Sequence, residues 1–301
     1  MKLVVKMMKL TKQQKLFREL QDKMNEELYS LVDKECNRLF KQHKKSRDQF
    51  LNEIGRVLLK FDTENNVLNL TEVDKVKLYT SLGKEVKNIF KLQRKEEAKI
   101  MQEFFIKIAE DKYYTNSYLL SLGLGFSIKK VSDKIIDSIV NTKIKNELWS
   151  DRLWKNKRDI EAVLKSEVKK FVVGEINLNS IEKVLKQRFN QNAYNTKRLV
   201  QTESARVMEE ANNMWQEENN IEWIMYSATL DNTTCSDCGD YDGEVYKVSE
   251  KPFELPQHPF CRCTYVSVVN KEWKPNTRLN NVTKENISYK TYKEWKKENN
   301  I

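Results

Sequence analysis

All four prolines lie at or beyond Pro252, and glycine is nearly as scarce, with seven in 301 residues. Proline removes a helical hydrogen bond and clashes with the preceding turn, so its absence leaves the first 251 residues without an obligate helix breaker. That asymmetry divides the chain into a long helical part and a short part of loops and strands. Charged residues make up 33% and hydrophobic ones 39%, a balance that suits a helix-rich chain with a core rather than a disordered one.

Apolar residues recur at helical spacing through the first part. Leu16, Leu20, Met24, Leu28 and Leu31 predict an amphipathic helix over about residues 10–45, and Phe50, Ile54, Val57, Leu58 and Phe61 extend the pattern. Thr71 with Asp74 reads as a helix start, followed by Val73, Val76, Val86, Ile89 and Phe90; Met101, Phe105 and Ile108 carry a helix toward residue 112. Gly123 and Gly125 predict a buried turn, and Ile128, Val131, Ile135, Ile136 and Ile139 a further helical face. Ser150-Asp151 offers a cap for a helix with Leu153, Trp154, Ile160, Leu164 and Val168, which Gly174 closes. Asn179-Ser180 precedes a short helix with Ile181, Val184, Leu185 and Phe189, and residues 193–217 read as one more.

After residue 220 the period changes. Ile221-Glu-Trp-Ile-Met-Tyr226, Glu244-Val-Tyr-Lys-Val248 and Thr264-Tyr-Val-Ser-Val-Val269 are short, aromatic and β-branched, and Asp242-Gly243 supplies a turn before the second. A short β-meander is expected, with a polar, Lys/Asn-rich tail or peripheral helix after it. The fold class is mainly α, an elongated helical N-terminal part followed by a small α+β module. The divisions are 1–145, helical; 146–270, the module; and 271–301, a basic polar tail.

Four of the five cysteines and one of the two histidines fall in residues 235–263. They read Cys235-Ser-Asp-Cys238, nineteen residues, then His258-Pro-Phe-Cys261-Arg-Cys263. Thiolate sulfur and imidazole nitrogen are the ligand types zinc prefers, and Cys-x-x-Cys lets two thiolates converge on one tetrahedral ion. Gly239 is expected to give the first turn a positive φ, and Pro259 to hold His258 extended. Five donors serve four positions: Cys235 and Cys238 lead, with His258 and one of Cys261 and Cys263, the latter narrowly preferred. The competing reading is two disulfides. It fits poorly with residues 1–10, where lysines interrupt the apolar residues and no signal peptide is legible, so a reducing place of synthesis is expected. A metal also makes up for the small core of a short module, so the role read here is structural, and the C-terminal α+β module is expected to be zinc-stabilised.

Charge is uneven. Residues 1–200 carry 42 Lys/Arg against 27 Asp/Glu, a balance of +15; residues 201–250 carry 2 against 12, and residues 251–301 carry 10 against 5. The first cysteine pair therefore lies in an acidic stretch, and the helical part is the surface suited to nucleic acid or an acidic protein. A metal-dependent nuclease or deaminase needs an open metal position and a base. His43 stands apart in a charged helix, the His-x-Glu before Pro-Cys-x-x-Cys of zinc deaminases is absent, and Glu203 reads better as a polar helix residue than as a base. No helix-turn-helix signature points to base reading, so DNA binding would be indifferent to sequence. No catalytic residue is assigned.

Arg198-Leu-Val-Gln-Thr-Glu203, Asp231-Asn-Thr-Thr-Cys-Ser-Asp-Cys238, Asp242-Gly-Glu-Val-Tyr246 and Leu255-Pro-Gln-His-Pro-Phe-Cys-Arg-Cys263 occur in an order that resembles the phage minor head protein family, also called phage head morphogenesis or Mu protein F-like. The resemblance covers about residues 145–270, with Trp149 and Trp154 at its helical lead-in; Gln201 departs from it, an arginine being more usual there. It implies a minor structural protein of a tailed-phage head, made in the host cytoplasm and carried in the virion near the portal. The partners it implies are portal, scaffold or major capsid protein and, for some members, packaged DNA.

Overall fold

The structure is a computed structural model, which describes residues 12–121, 131–268, 277–280 and 282–299. The 1–10 segment, the Gly123/Gly125 turn and Ile128 lie outside the described residues. The elements are α1 (Lys12–Lys60), a hairpin of β1 (Thr63–Glu64) and β2 (Val67–Leu68), α2 (Glu72–Ser121), α3 (Asp133–Val140), α4 (Trp149–Val172) and α5 (Leu178–Glu218). Then follow β3 (Trp223–Ser227), α6 (Ser236–Asp240), β4 (Val245–Lys247), β5 (Thr264–Val268), β6 (Thr277–Asn280), β7 (Glu285–Ser288) and α7 (Tyr292–Glu298). No helix of the described residues is long and apolar enough to cross a membrane. The chain is mainly helical with small antiparallel sheets toward the C-terminus, as the proline asymmetry predicts.

The helices run longer than their sequence punctuation implies. Asn179-Ser180 does not open a short helix: α5 is continuous from Leu178, and its first turn is capped by Asn177, whose Oδ1 accepts from Ser180 N at 3.0 Å. The polar residues at 190–192 do not break it, because Asn192 points into a buried hydrogen-bonded layer. Nor is Ser150-Asp151 the cap of α4. The helix begins at Trp149, and Asp151 reaches back to accept from Leu148 N at 3.0 Å. Thr71 does open α2, its hydroxyl accepting from Asp74 N at 3.2 Å, and Gly174 closes α4 at φ +87°.

The described residues pack into two compact units, both discontinuous in sequence. One comprises Val32–Phe104 and Asn141–Gln201. Its core takes Phe50, Ile54 and Val57 from α1, Leu78, Leu82, Val86, Ile89 and Phe90 from α2, Ile160, Leu164, Val168 and Phe171 from α4, and Ile181, Leu185 and Phe189 from α5. Each such side chain contributes about 1.5–3 kcal/mol when fully buried. Val73 and Val76, expected on the core stripe of α2, are 61% and 66% exposed, because the buried face is phased on Leu78 and Leu82. Trp154 is also outward-facing, under the guanidinium of Arg94.

A polar layer crosses this unit. Lys157 Nζ donates to Glu97 Oε1 at 2.7 Å, Asn192 Oδ1 at 3.0 Å and Thr196 Oγ1 at 3.2 Å. His43 Nε2 lies 2.8 Å from Glu97 Oε1, and Asn192 Nδ2 is shared between His43 Nδ1 and Gln93 Oε1. His43, isolated in sequence, is buried among α2, α4 and α5 partners. Burial and the Lys157 ammonium push its pKa down, whereas Lys157 and His43 outweigh burial at Glu97 and bring it to about 2.

The other unit draws on the described residues within Met1–Leu31, Phe105–Val140 and Thr202–Ile301. Its main sheet has the order β4-β3-β5, all antiparallel, with Ile224 opposite both Tyr246 and Ser267. The strands are those the sequence predicts, but their order is not a meander: β3 is central, and the cysteine-bearing connection between β4 and β5 carries the chain to its far side. Ile224, Tyr226, Leu230, Cys238, Cys261 and Tyr265 share a core with Tyr292 and Trp295 of α7. The segment after β5 thus contributes more than polar surface. Arg278 of β6 is 3% exposed, donates to both Asp242 oxygens and to Ala228 O, and Asp242 also accepts from Tyr292 N at 2.6 Å.

Candidate metal centre

Two short turns bring the donors together. In the first, Cys235 caps α6: its Sγ accepts from Cys238 N at 3.4 Å, and Gly239 N donates to Cys235 O at 3.0 Å. The turn is held from behind by Asp231, whose Oδ1 accepts from Thr233 N and Oγ1 (both 2.8 Å) and from Thr234 Oγ1 at 3.2 Å. In the second, Cys261 N donates to His258 O at 3.1 Å, with Phe260 at φ +65°. Phe260 N donates to Thr202 Oγ1 on α5 at 3.2 Å, and Arg262 pairs with Asp231, tying the second turn to the helix and to the first turn.

Gly239 is not at positive φ, contrary to the sequence expectation; among the described glycines that conformation belongs to Gly174 and Gly243. The constraint at Gly239 is space: an added Cβ would meet Tyr292 Cδ1 at 2.2 Å.

The ligand atoms of Cys235, Cys238 and His258 lie within 4.8 Å of one another, as do those of Cys238, Cys261 and Cys263. His258 Nε2 is 3.3 Å from Cys235 Sγ and 3.4 Å from Cys238 Sγ, and Cys238 Sγ is 4.0 Å from Cys261 Sγ. Tetrahedral zinc with ordinary bond lengths sets neighbouring ligand atoms about 3.5–3.8 Å apart. The other imidazole nitrogen, Nδ1, is 2.8 Å from Pro259 O, a contact that leaves Nε2 free to bind. All five cysteines are free, so the disulfide reading finds no support. The donors line a cavity of about 10 Å³, the space of a single small occupant. The cluster could hold a metal ion, and a soft donor set of sulfur and imidazole fits zinc.

Within the cluster, bonds from Cys238 and then Cys263 draw negative charge onto Cys261 and hold its pKa far below the thiol range, while the bond to Cys261 pushes Cys238 up to about 12. Two tyrosines that belong to no motif in the sequence lie beside these sulfurs. The Tyr226 hydroxyl is buried with no nitrogen or oxygen partner and adjoins Cys263 and Cys238; burial, then Cys263, raises its pKa. Tyr29 of α1 is likewise raised by burial and by Cys261 and Cys263. The alternation of Ile221 to Tyr226 marks an inward Tyr226, but only the folded chain shows what it faces.

Glu203 is 1% exposed and accepts from Arg206 Nε at 2.8 Å; Arg206 in turn donates to Ile139 O and Val140 O at the end of α3. Gln201 donates to Asp33 at 3.0 Å. The Thr-Glu pair on α5 therefore anchors the second turn on one side and the end of α3 on the other.

These features define a helix-fronted α+β module with a Cys/His cluster between two of its loops. Residues 162–266 match the family described as Phage Mu protein F like protein, so the resemblance carried by the motifs is found over the segment that contains the whole cluster; Trp149 and Trp154 precede it. No curated protein and no solved structure matches the chain.

Proposed function

We propose that this chain is a minor structural protein of a tailed-phage head, acting in head morphogenesis without a catalytic role of its own. The match over residues 162–266 carries the reading. The family's motif residues support it by what they bond: Thr202, Glu203, Asp231, Asp242 and Arg262 all make contacts within the module. A general base needs to reach a substrate, and Glu203 is instead buried against Arg206.

The ion is zinc, and its role is structural. Cys235, Cys238 and His258 hold it with a cysteine of the second turn, and binding joins two loops that the short strands alone connect weakly. Such sites supply folding energy directly, on the order of 10 kcal/mol in zinc-finger peptides.

Portal, scaffold or major capsid protein is the partner, met in the host cytoplasm and kept in the virion near the portal. The helical part before residue 200 offers the surface for it, with the +15 balance and exposed lysines such as Lys41, Lys44 and Lys45 on α1. Contact with DNA there rests on phosphate attraction, so it weakens steeply with salt and ignores sequence.

The test is to quantify the chain by mass spectrometry in purified procapsids and mature particles, and to assay the metal in the same chain. A few copies per particle are expected, with one zinc per chain. Absence from both kinds of particle would overturn the assembly reading.

A further inference from the structure

The two turns of the centre are alike in a way that selects among its five donors. Each places a ligand at its first and fourth positions, Cys235 with Cys238 and His258 with Cys261. Each is closed by a backbone bond to the first residue's carbonyl, Gly239 N to Cys235 O and Cys261 N to His258 O. Cys261 Sγ stands 4.0 Å from Cys238 Sγ. Cys263 is outside this pattern. It directly precedes Thr264, which pairs with Ser227 in the sheet, so its backbone follows the strand rather than the turn.

An independent observation comes from Tyr226. Its side chain is wholly buried, and its hydroxyl has no nitrogen or oxygen to bond. It shares a core cluster with Cys238, Cys261 and Cys263, whose sulfurs lie within 4.8 Å of one another. A buried hydroxyl without a partner is unfavourable. Against a charged, metal-bound sulfur the same hydroxyl makes a charge-assisted hydrogen bond. Groups that bond to ligands in this way set their orientation and basicity.

We propose that Cys261 is the fourth metal ligand, and that Cys263 does not bind the ion but, with the Tyr226 hydroxyl, packs against the ligand sulfurs from the buried side. This rests on the cluster being a metal site, and it reverses the order of Cys261 and Cys263 expected from spacing alone. The Tyr226 hydroxyl stabilises the charge of the thiolates from the core side, while Arg262 lines the same cavity. Tyr226 and Cys263 are positioning residues here, and neither binds the ion.

The experiment is cobalt(II) titration of the full, metal-free chain, reading the sulfur-to-metal charge-transfer intensity, which scales with the number of bound thiolates. The Cys263→Ser variant should keep the full intensity, Cys261→Ser should lose about a third of it, and Tyr226→Phe should keep it but bind about tenfold more weakly. Loss in Cys263→Ser, or retention in Cys261→Ser, overturns the assignment. Unchanged affinity in Tyr226→Phe overturns the role given to Tyr226. Failure of the folded parent chain to bind cobalt or zinc would instead overturn the metal reading on which this rests. Should a serine variant fail to fold, the parent chain loaded with a spin-half cadmium isotope decides the matter. Couplings to the β protons of Cys235, Cys238 and Cys261, and none to Cys263, are expected; a coupling to Cys263 overturns the assignment.

Discussion

The ring of Tyr292 lies against Gly239 so closely that no other residue fits at position 239, since even a Cβ would come within 2.2 Å of Cδ1. Tyr292 OH also donates to Thr234 O at 2.9 Å, so one side chain from α7 braces both ends of the first cysteine turn. Gly239→Ala should therefore destabilise the module by about 1–3 kcal/mol through overpacking. Urea denaturation followed by tryptophan fluorescence measures it, and adding Tyr292→Ala should cost less than the sum of the two single changes.

Ending the chain after residue 270 should leave the cysteine turns poorly held. The deletion removes Tyr292 and Trp295 from the core and Arg278 from Asp242, whose carboxylate is then buried without its cation. Breaking a buried pair of this kind costs about 3–5 kcal/mol. Limited proteolysis should show cleavage between residues 228 and 264 in the truncated chain at protease levels that spare the full one, and equal resistance would show the segment to be dispensable.

Glu203→Ala should act on stability alone. It removes a buried partner of Arg206, which is 2% exposed and is left with its two carbonyl acceptors and the neighbouring Glu210 charge, at a cost of about 1.5–3 kcal/mol. The expected result is a lowered Tm with the zinc content of the folded fraction unchanged. A variant of unaltered stability would return Glu203 to consideration as a reactive group.

Acid should loosen the helical unit in two stages. His43 is depressed in the folded chain, so as pH falls below its ordinary 6.5 the unfolded chain takes up a proton that the folded chain resists, and stability falls. Glu97 is depressed to about 2, so its contribution is complete above about 4.5 and is lost between there and about 2. Urea midpoints measured from pH 7 downward should show both stages, and His43→Gln should remove the upper one. A pH profile identical in that variant would mean that His43 titrates without consequence.

The sequence announces what depends on composition and local spacing. Proline placement separates helix from strand, the β-branched runs locate β3, β4 and β5, and the Cys/His spacing marks the cluster. It is silent where a residue's role is decided by a distant neighbour. Val73 and Val76 fit the helical period as well as Leu78 does, and only the packing of α1 and α4 fixes which face is inside. Asn192 looks like a helix breaker until Lys157 and His43 are set beside it. Gly239 looks like a turn residue because Tyr292, more than fifty positions away, leaves no local trace.

The layer of His43, Gln93, Glu97, Lys157, Asn192 and Thr196 has a consequence for how this chain can change over generations. Replacing any one of its charged members by a hydrocarbon leaves another charge stranded in the interior, whereas replacing the set together leaves none. A lineage cannot therefore walk from this interior to a wholly apolar one by single steps of equal fitness. Descendants of the chain should carry these six positions either intact or exchanged as a block, with the surrounding leucines and phenylalanines free to drift one at a time.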